Sequence, residues 1–204
     1  MHTSTRSTAR SVQVAVRSMV LFTVVLGVLY TLALTGVGQL LIPARANGSI
    51  VYDAEGAPAG SSLLGQNFTD AEGEPIAAYF QSRPSAAGDG YDGGASSGSN
   101  LGPENEDLTA SIQERRMQIA QFNGVDASEI PADALTASAS GLDPHISPQY
   151  ATLQIDRVAR ERGVSPGEVR DLVQAHTERP DLGAMGMPRV NVLELNLALD
   201  EEKD

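Results

Sequence analysis

SMVLFTVVLGVLYTLALTGVGQLLI, residues 18–42, runs for 25 residues without a charged side chain. At a rise of about 1.5 Å per residue, a helix of that length reaches roughly 37 Å. The hydrocarbon core of a bilayer is about 30 Å thick. One transmembrane helix is therefore predicted. It divides the chain into a basic tail, residues 1–17, and a larger part, residues 43–204, of ordinary domain size.

The flanks of the stretch set its direction. Arg6, Arg10 and Arg17 precede it, and after it only Arg45 comes before Arg83. Positive residues stay on the cytoplasmic side of a span. The N-terminus is accordingly expected in the cytoplasm and residues 43–204 outside the membrane. Ala44-Arg45-Ala46 has the small-x-small form of a cleavage site. The apolar run is nevertheless far longer than the ~7–15 residues of a signal-peptide core, so an uncleaved single-pass anchor is expected. Within the span, Gly27, Thr31, Thr35 and Gly38 follow one another at spacings of four, four and three. That pattern places small side chains on one helix face, where a partner helix can approach closely.

Composition narrows the function. The net charge is −12, and residues 1–17 carry three arginines and no acid, so the rest of the chain carries −15. Such a domain repels nucleic acid and anionic lipid. It suits a cation-rich setting or a basic partner. The chain has no cysteine, which rules out disulfides and thiolate chemistry.

Beyond the span the elements are short. A strand is expected at residues 50–52, an extended piece at 62–68, and a strand or one helical turn at 76–80, stopped by Arg83-Pro84. Residues 85–103 hold six glycines and four serines and read as a loop. Helices are predicted over residues 105–122, with Asn123-Gly124 as the stop, and over 147–162, with Ser147 as N-cap and Gly163 as the stop. A third begins at Ser165-Pro166, where Glu168 completes a capping box. From Arg189 to Leu199 the apolar residues Val190, Val192, Leu195, Leu197 and Leu199 suggest a long C-terminal strand, followed by a solvated acidic tail over residues 200–204. The sum is one α+β domain on a membrane stalk.

Few residues carry catalytic chemistry. No GxxxxGK[ST], GxSxG or HExxH occurs, and the GxGxxG of Gly88, Gly90 and Gly93 lies inside the glycine-rich loop without a strand before it. The histidines are His2, His145 and His176, the last near a helix C-terminus. Asp143-Pro144-His145 offers two metal ligands but no third nearby. Ser138, Ser140, Asp143 and His145 can be drawn as a hydrolytic set, which defines one alternative: a membrane-anchored, exported hydrolase using Ser138 or Ser140 with His145. The same residues also suit a tight turn whose Ser and Asp side chains hold backbone N–H groups ahead of a capped helix.

A series of turn motifs carries a family resemblance. GSSLLGQNF at residues 60–68 is followed by YFQSRPS at 79–85, SGSNLGP at 97–103, LTASASGLDPHISP at 135–148, and VNVLELNLAL at 190–199. The signature positions are Arg83, Pro84, Ser85, Ser99, Asn100, Ser138, Ser140, Gly141, Leu142, Asp143 and Pro144. In this order they resemble the C subunit of the bacterial Kdp potassium-transporting ATPase. A longer basic N-terminal tail and the acidic insert at 70–75 depart from that pattern.

The resemblance implies a non-motor subunit of an ATP-driven potassium importer in the cell membrane. Its implied partners are a channel-like A subunit, a P-type ATPase B subunit and a small F subunit, with potassium and ATP handled by the complex. The chain lacks the Asp-Lys-Thr-Gly-Thr phosphorylation motif of the motor. The resemblance further implies a catalytic-chaperone role, raising the ATP affinity of the B subunit. A glutamine after the Leu-Asp-Pro stretch would take part, and Gln149 and Gln154 are the two positions that fit. On the topology set by the arginines both lie across the bilayer from cytoplasmic ATP. Otherwise they read as helix-surface residues.

Overall fold

A computed structural model describes the backbone of residues 3–202 and the side chains of residues 8–202. His2, the side chain of Arg6, and Lys203 and Asp204 of the acidic tail lie outside the described residues. The chain divides into two compact units, Met1–Ser49 and Ile50–Asp204.

The first unit is helical. α1 (Thr3–Phe22), a π-helical segment (Thr23–Leu29) and α2 (Tyr30–Leu41) follow without interruption. Thr8–Leu41, 34 residues, is long and apolar enough to cross a membrane. In the π segment the bonds reach five residues back: the Tyr30 N–H donates to Val25 O. The Thr31 hydroxyl likewise reaches Leu26 O at 3.4 Å, and that of Thr35 reaches Thr31 O at 2.9 Å. A wider turn rotates each residue by less than the ~100° of an α-helix, which brings Gly27 and Thr31 more nearly into line. Ile42, with φ −140° and ψ 56°, leaves the helical region that the following proline disfavours. The short turn α3 (Pro43–Ala46) is then tied back by Asn47 and Gln39, whose amides bond each other in both directions at 3.1 Å.

The second unit is α+β. β1 (Ile50–Tyr52) and β2 (Pro58–Ser61) pair antiparallel. A long irregular run leads to α4 (Glu106–Asn123), which is followed by a 3-10 turn (Ala127–Glu129) and α5 (Ala132–Leu135). β3 (His145–Ile146), α6 (Pro148–Arg162), α7 (Pro166–Ala175), β4 (Thr177–Glu178), β5 (Arg189–Asn191) and α8 (Val192–Glu201) complete the chain. β5 is the middle strand of an antiparallel sheet ordered β3-β5-β4. The helix ends follow the sequence signals. Asn105, Ser147 and Ser165 accept backbone N–H bonds as N-caps, Ser165 within a complete capping box. Gly124 (φ 71°) and Gly163 (φ 72°) close α4 and α6 in the left-handed conformation that glycine adopts without strain.

α6 is the centre of the core. Tyr150, Ala151, Ile155, Val158 and Ala159 are buried on it and pack with Phe80, Val169, Val173, Val190, Val192, Leu195 and Leu199. Each fully buried aliphatic side chain in this cluster contributes about 1.5–3 kcal/mol.

Four sequence expectations change. The strand expected from Arg189 to Leu199 stops at Asn191, and α8 begins at Val192. Asn191 is an N-cap whose side chain accepts the Glu194 N–H at 3.2 Å. The buried residues Val192, Leu195, Asn196 and Leu199 recur with helical spacing. The apparent alternation came from a β-strand and a helix read as one. Residues 76–80 form no strand and no helix but a single hydrogen-bonded turn in an otherwise irregular coil, closed by the Tyr79 N–H on Ile76 O at 3.2 Å. Asp200 is no free tail residue: it belongs to α8 and pairs with Arg162 at 2.9 Å. Gln154 is not on a helix surface, being 0% exposed.

Candidate functional site

The coil at 77–81 lacks strand partners, and its backbone groups are met instead by helix side chains. From α6, Arg157 Nη1 donates to Ala77 O and, at 3.0 Å, to Tyr79 O, while Arg162 Nε donates to Ala78 O at 2.7 Å. From α8, the Asn196 amide accepts Phe80 N–H and donates to Phe80 O, each at 2.9 Å. Gln154 repeats that pattern on Gln81, at 2.7 Å and 3.1 Å. These side chains stand in for the neighbouring strand that a sheet would supply, because a buried backbone polar group must be paired.

Arg157 is 1% exposed, yet among the described residues none of its hydrogen-bond partners is a carboxylate. Its remaining donors reach Asn123 Oδ1 at 2.9 Å and Gln154 Oε1 at 2.8 Å, and the guanidinium lies 4.5 Å from the Phe122 ring centre. Burial pushes its pKa down to about 10, so it stays charged at neutral pH. The energetic weight lies in the neutral oxygens gathered around it, each of which would be costly to leave unpaired.

The coil delivers Arg83, Pro84 and Ser85 to a second cluster, built on the turn at 138–145. Arg83 Nη1 pairs with Asp143 Oδ2 at 2.9 Å, and its other nitrogens donate to Thr136 O. Asp143 Oδ1 accepts the His145 backbone N–H at 3.0 Å and lies 3.3 Å from His145 Nδ1. Burial raises the Asp143 carboxyl, but the bonds from His145 and Arg83 outweigh it and hold the pKa below the ordinary aspartate range. Tyr91 donates to Arg83 O at 2.7 Å, and burial pushes its phenol up to about 12. Ser85 Oγ donates to Gly141 O at 2.6 Å. Gly141 (φ 68°) admits no side chain: a Cβ there would lie 2.6 Å from Ser97 O and 2.7 Å from Ala87 N. The glycine-rich loop is thus bonded onto the turn, through Ser96 Oγ and Ser97 N to Ser140 O at 3.0 Å each.

Beside this cluster is a cleft of about 670 Å³ lined by Arg83, Asp133, Asp143, His145, Gln149 and Met187, among others. Asp133 closes one side by accepting both the backbone N–H and the hydroxyl of Ser147, at 2.7 Å and 2.9 Å, which places a carboxylate at the start of α6 where the helix dipole favours it. Gln149 is exposed on the first turn of α6.

The structure brings together the signature residues Arg83, Ser85, Ser140, Gly141 and Asp143, with Leu142 joined through its carbonyl to Gly65 N and Pro144 through its carbonyl to Val192 N. Ser99 and Asn100 are exposed, Asn100 at φ 54°, and no hydrogen bond among the described residues joins them to the cluster. The hydrolytic set is not joined. Ser138 Oγ and Ser140 Oγ lie 3.4 Å apart, Ser140 Oγ accepts Leu142 N–H, and His145 Nδ1 faces Asp143. Among the described residues no hydrogen bond links His145 to either serine. Nor does any group of three or more His, Asp or Glu suited to a metal occur among them. His176 caps α7, with Nδ1 3.0 Å from Leu172 O. Sequence reasoning missed Arg157, Arg162 and Asn196. The available signal was polar side chains at helical spacing inside apolar runs, Gln154 with Arg157 and Asn196 among leucines.

The family model described as K+-transporting ATPase, c chain (KdpC) matches residues 12–201. The chain is 51% identical over 186 residues to a potassium-transporting ATPase KdpC subunit of Myxococcus xanthus, covering 91% of this chain and 85% of the relative. It is 52% identical over 186 residues to that of Caulobacter vibrioides, covering 91% and 90%. It is 48% identical over 187 residues to that of Mycobacterium tuberculosis, covering 91% and 95%. With one long apolar N-terminal helix, an α+β unit and a match over nearly its whole length, the chain belongs to the KdpC family of potassium-transporting ATPase subunits.

Proposed function

We propose that this chain is the accessory, non-motor subunit of an ATP-driven potassium importer, needed for assembly of its complex. The apolar helix holds it in the cell membrane with the arginine-bearing N-terminus in the cytoplasm and residues 43–204 outside. Its partners are the channel-like A, P-type ATPase B and small F subunits, and the stripe Gly27, Thr31, Thr35 and Gly38 packs against one of their helices. The −15 charge beyond residue 17 draws cations toward the complex, through a field that salt screens within ~8–10 Å.

The observation that carries the reading is the engagement of the polar side chains with the fold itself. Gln154 is buried and bonded on both amide atoms, Ser140 holds the Leu142 N–H, and Asp143 bridges Arg83 and His145. A unit built this way holds a shape. Of the two glutamines considered for a nucleotide role, only Gln149 is exposed enough to touch a ligand. With the unit outside the cell, any gain in ATP affinity acts through the pump's conformational equilibrium.

The native chain has no cysteine, so one at Gln149 tests the topology directly. An impermeant maleimide should label Gln149→Cys in intact cells. Labelling only after permeabilisation would put the unit in the cytoplasm and restore direct contact with ATP. Deleting residues 50–204 should abolish assembly or lower the potassium affinity of the pump; a fully active pump lacking them would sink the accessory role.

A further inference from the structure

The loop between β4 and β5 exposes its apolar side chains more than any other part of the second unit. Leu182 is 94% exposed, Met187 80% and Met185 62%. The loop is nonetheless closed by its own hydrogen bonds. Asp181 and Met185 exchange backbone bonds in both directions at 2.9 Å, and Gly183 N–H donates to Pro180 O at 3.0 Å. Its base is fastened by Arg189, which meets Glu178 at 2.8 Å and Asp181 at 3.5 Å. Leu182 sits at φ 53°, a left-handed conformation that Gly or Asn adopts at lower cost. A branched apolar residue held there in water gains nothing within the unit.

We propose that this hairpin tip is a preformed plug, with Leu182, Met185 and Met187 seated in an apolar socket on another protein subunit of the same transporter complex. The inference rests on the reading of this chain as a complex subunit. Three features favour that occupant. The tip is closed by its own backbone hydrogen bonds before it binds, which reduces the ordering cost of docking. It is small: three side chains fall far short of the ~800 Å² per partner that a self-sufficient interface buries, so the tip acts as a second contact for a chain already held beside its partner by the apolar helix. A second copy of this chain carries the same −15 beyond residue 17 and is disfavoured by like-charge repulsion. The net charge of −15 beyond residue 17 disfavours the remaining candidate, an anionic bilayer surface. Two methionines among three contact residues suit a socket of irregular shape.

Cysteine reactivity tests the plug in the whole complex. Leu182→Cys and Met117→Cys, the latter at a 64% exposed position on α4, are compared in the purified chain and in the purified complex. On assembly, the maleimide rate at Leu182→Cys should fall at least about tenfold, as for a side chain sealed from water in an interface, while Met117→Cys stays fast. Equal rates at Leu182→Cys in both preparations overturn the proposal. So does protection of the chain alone in phosphatidylglycerol vesicles, which would mean lipid, or protection that grows with chain concentration, which would mean self-association. A complex that assembles while Leu182→Cys remains reactive removes the plug and leaves the subunit reading standing; a chain that never copurifies with other subunits removes both. As a second readout, the Leu182→Asp, Met187→Asp double variant should keep the wild-type unfolding temperature, since both side chains are exposed, yet be lost from the complex on washing at least about tenfold faster.

Discussion

Gln149 and Gln154 stand on the same helix, five positions apart, in opposite surroundings. Gln149 is exposed on the first turn of α6 at the rim of the cleft. Gln154 is wholly buried, and its amide bonds both backbone atoms of Gln81 while also receiving Arg157. The contrast extends to their neighbourhoods. The inner half of α6 holds an irregular coil in place through the hydrogen bonds that a buried cation and an amide make with neutral backbone groups. The outer end borders an ion-paired cluster that water can reach, with Arg83 and Asp143 side chains 19% and 29% exposed. Chemistry resembling a binding site thus occurs twice, and in the inner instance it is architecture. Substitutions along α6 sharpen or break this distinction.

The largest effect is expected at Arg157. Arg157→Ala removes the donor shared by Ala77 O, Tyr79 O, Asn123 Oδ1 and Gln154 Oε1, of which Gln154 Oε1 keeps the Gln81 N–H and Tyr79 O a 3.4 Å bond from the Gln81 side chain, and unfolding of the full chain in detergent should lose about 3–5 kcal/mol. Arg157→Lys should recover less than half, because an ammonium cannot reach these oxygens in the planar fork of a guanidinium. Full recovery by lysine would mean that charge, and not geometry, matters there. Next comes Gln154→Ala, which leaves the Gln81 N–H and C=O unpaired, at a cost of about 2–3 kcal/mol in the same denaturation measurement. A loss below ~0.5 kcal/mol would show the coil to be held without it and would reopen Gln154 as a ligand contact.

This contrast also explains what could be read from the sequence. The apolar N-terminal helix, α4 and α6 with their stops, and the start of α7 were legible because local signals set them: an uncharged apolar run, Ser147-Pro148, the Ser165–Glu168 box, and Gly124 and Gly163. The turn at 138–145 was legible as a turn, since Ser and Asp there bond nearby backbone atoms. The coil at 77–81 was not, because its partners lie on α6 and α8, 73 to 116 positions away for Gln154 and Asn196. Nothing local separates Gln154 from Gln149. The strand misread into α8 failed for a related reason: Asn191 serves both as a strand residue paired with His145 and as a helix cap, so two periodicities abut without a turn between them.

At the outer end of α6 the dominant variable is pH. Asp143 has a folded-state pKa below its unfolded value, so its contribution is full above the unfolded value and is lost as the pH falls through the folded one. The acid limb of the stability curve, between neutral pH and pH 3, should therefore be shallower in Asp143→Asn, in unfolding experiments at matched ionic strength. Identical limbs would mean that the Arg83–Asp143–His145 cluster contributes no more than an exposed ion pair.

The smallest effect on stability is expected at Gln149. Its side chain is exposed and no side-chain hydrogen bond holds it among the described residues, so Gln149→Ala should leave the unfolding free energy within ~0.5 kcal/mol of wild type. That neutrality makes it the informative position for function. A residue that contributes nothing to the fold can reveal a contact made only in the assembled pump. If Gln149→Ala leaves ATP affinity and potassium affinity of the complex unchanged, the cleft has no nucleotide role and the rim of α6 is plain surface. If ATP affinity falls while the chain remains fully folded and assembled, and the maleimide test at Gln149→Cys places the unit outside the membrane, the effect is transmitted across the bilayer. It must then appear reciprocally, as a change in how tightly this subunit is held when nucleotide is bound.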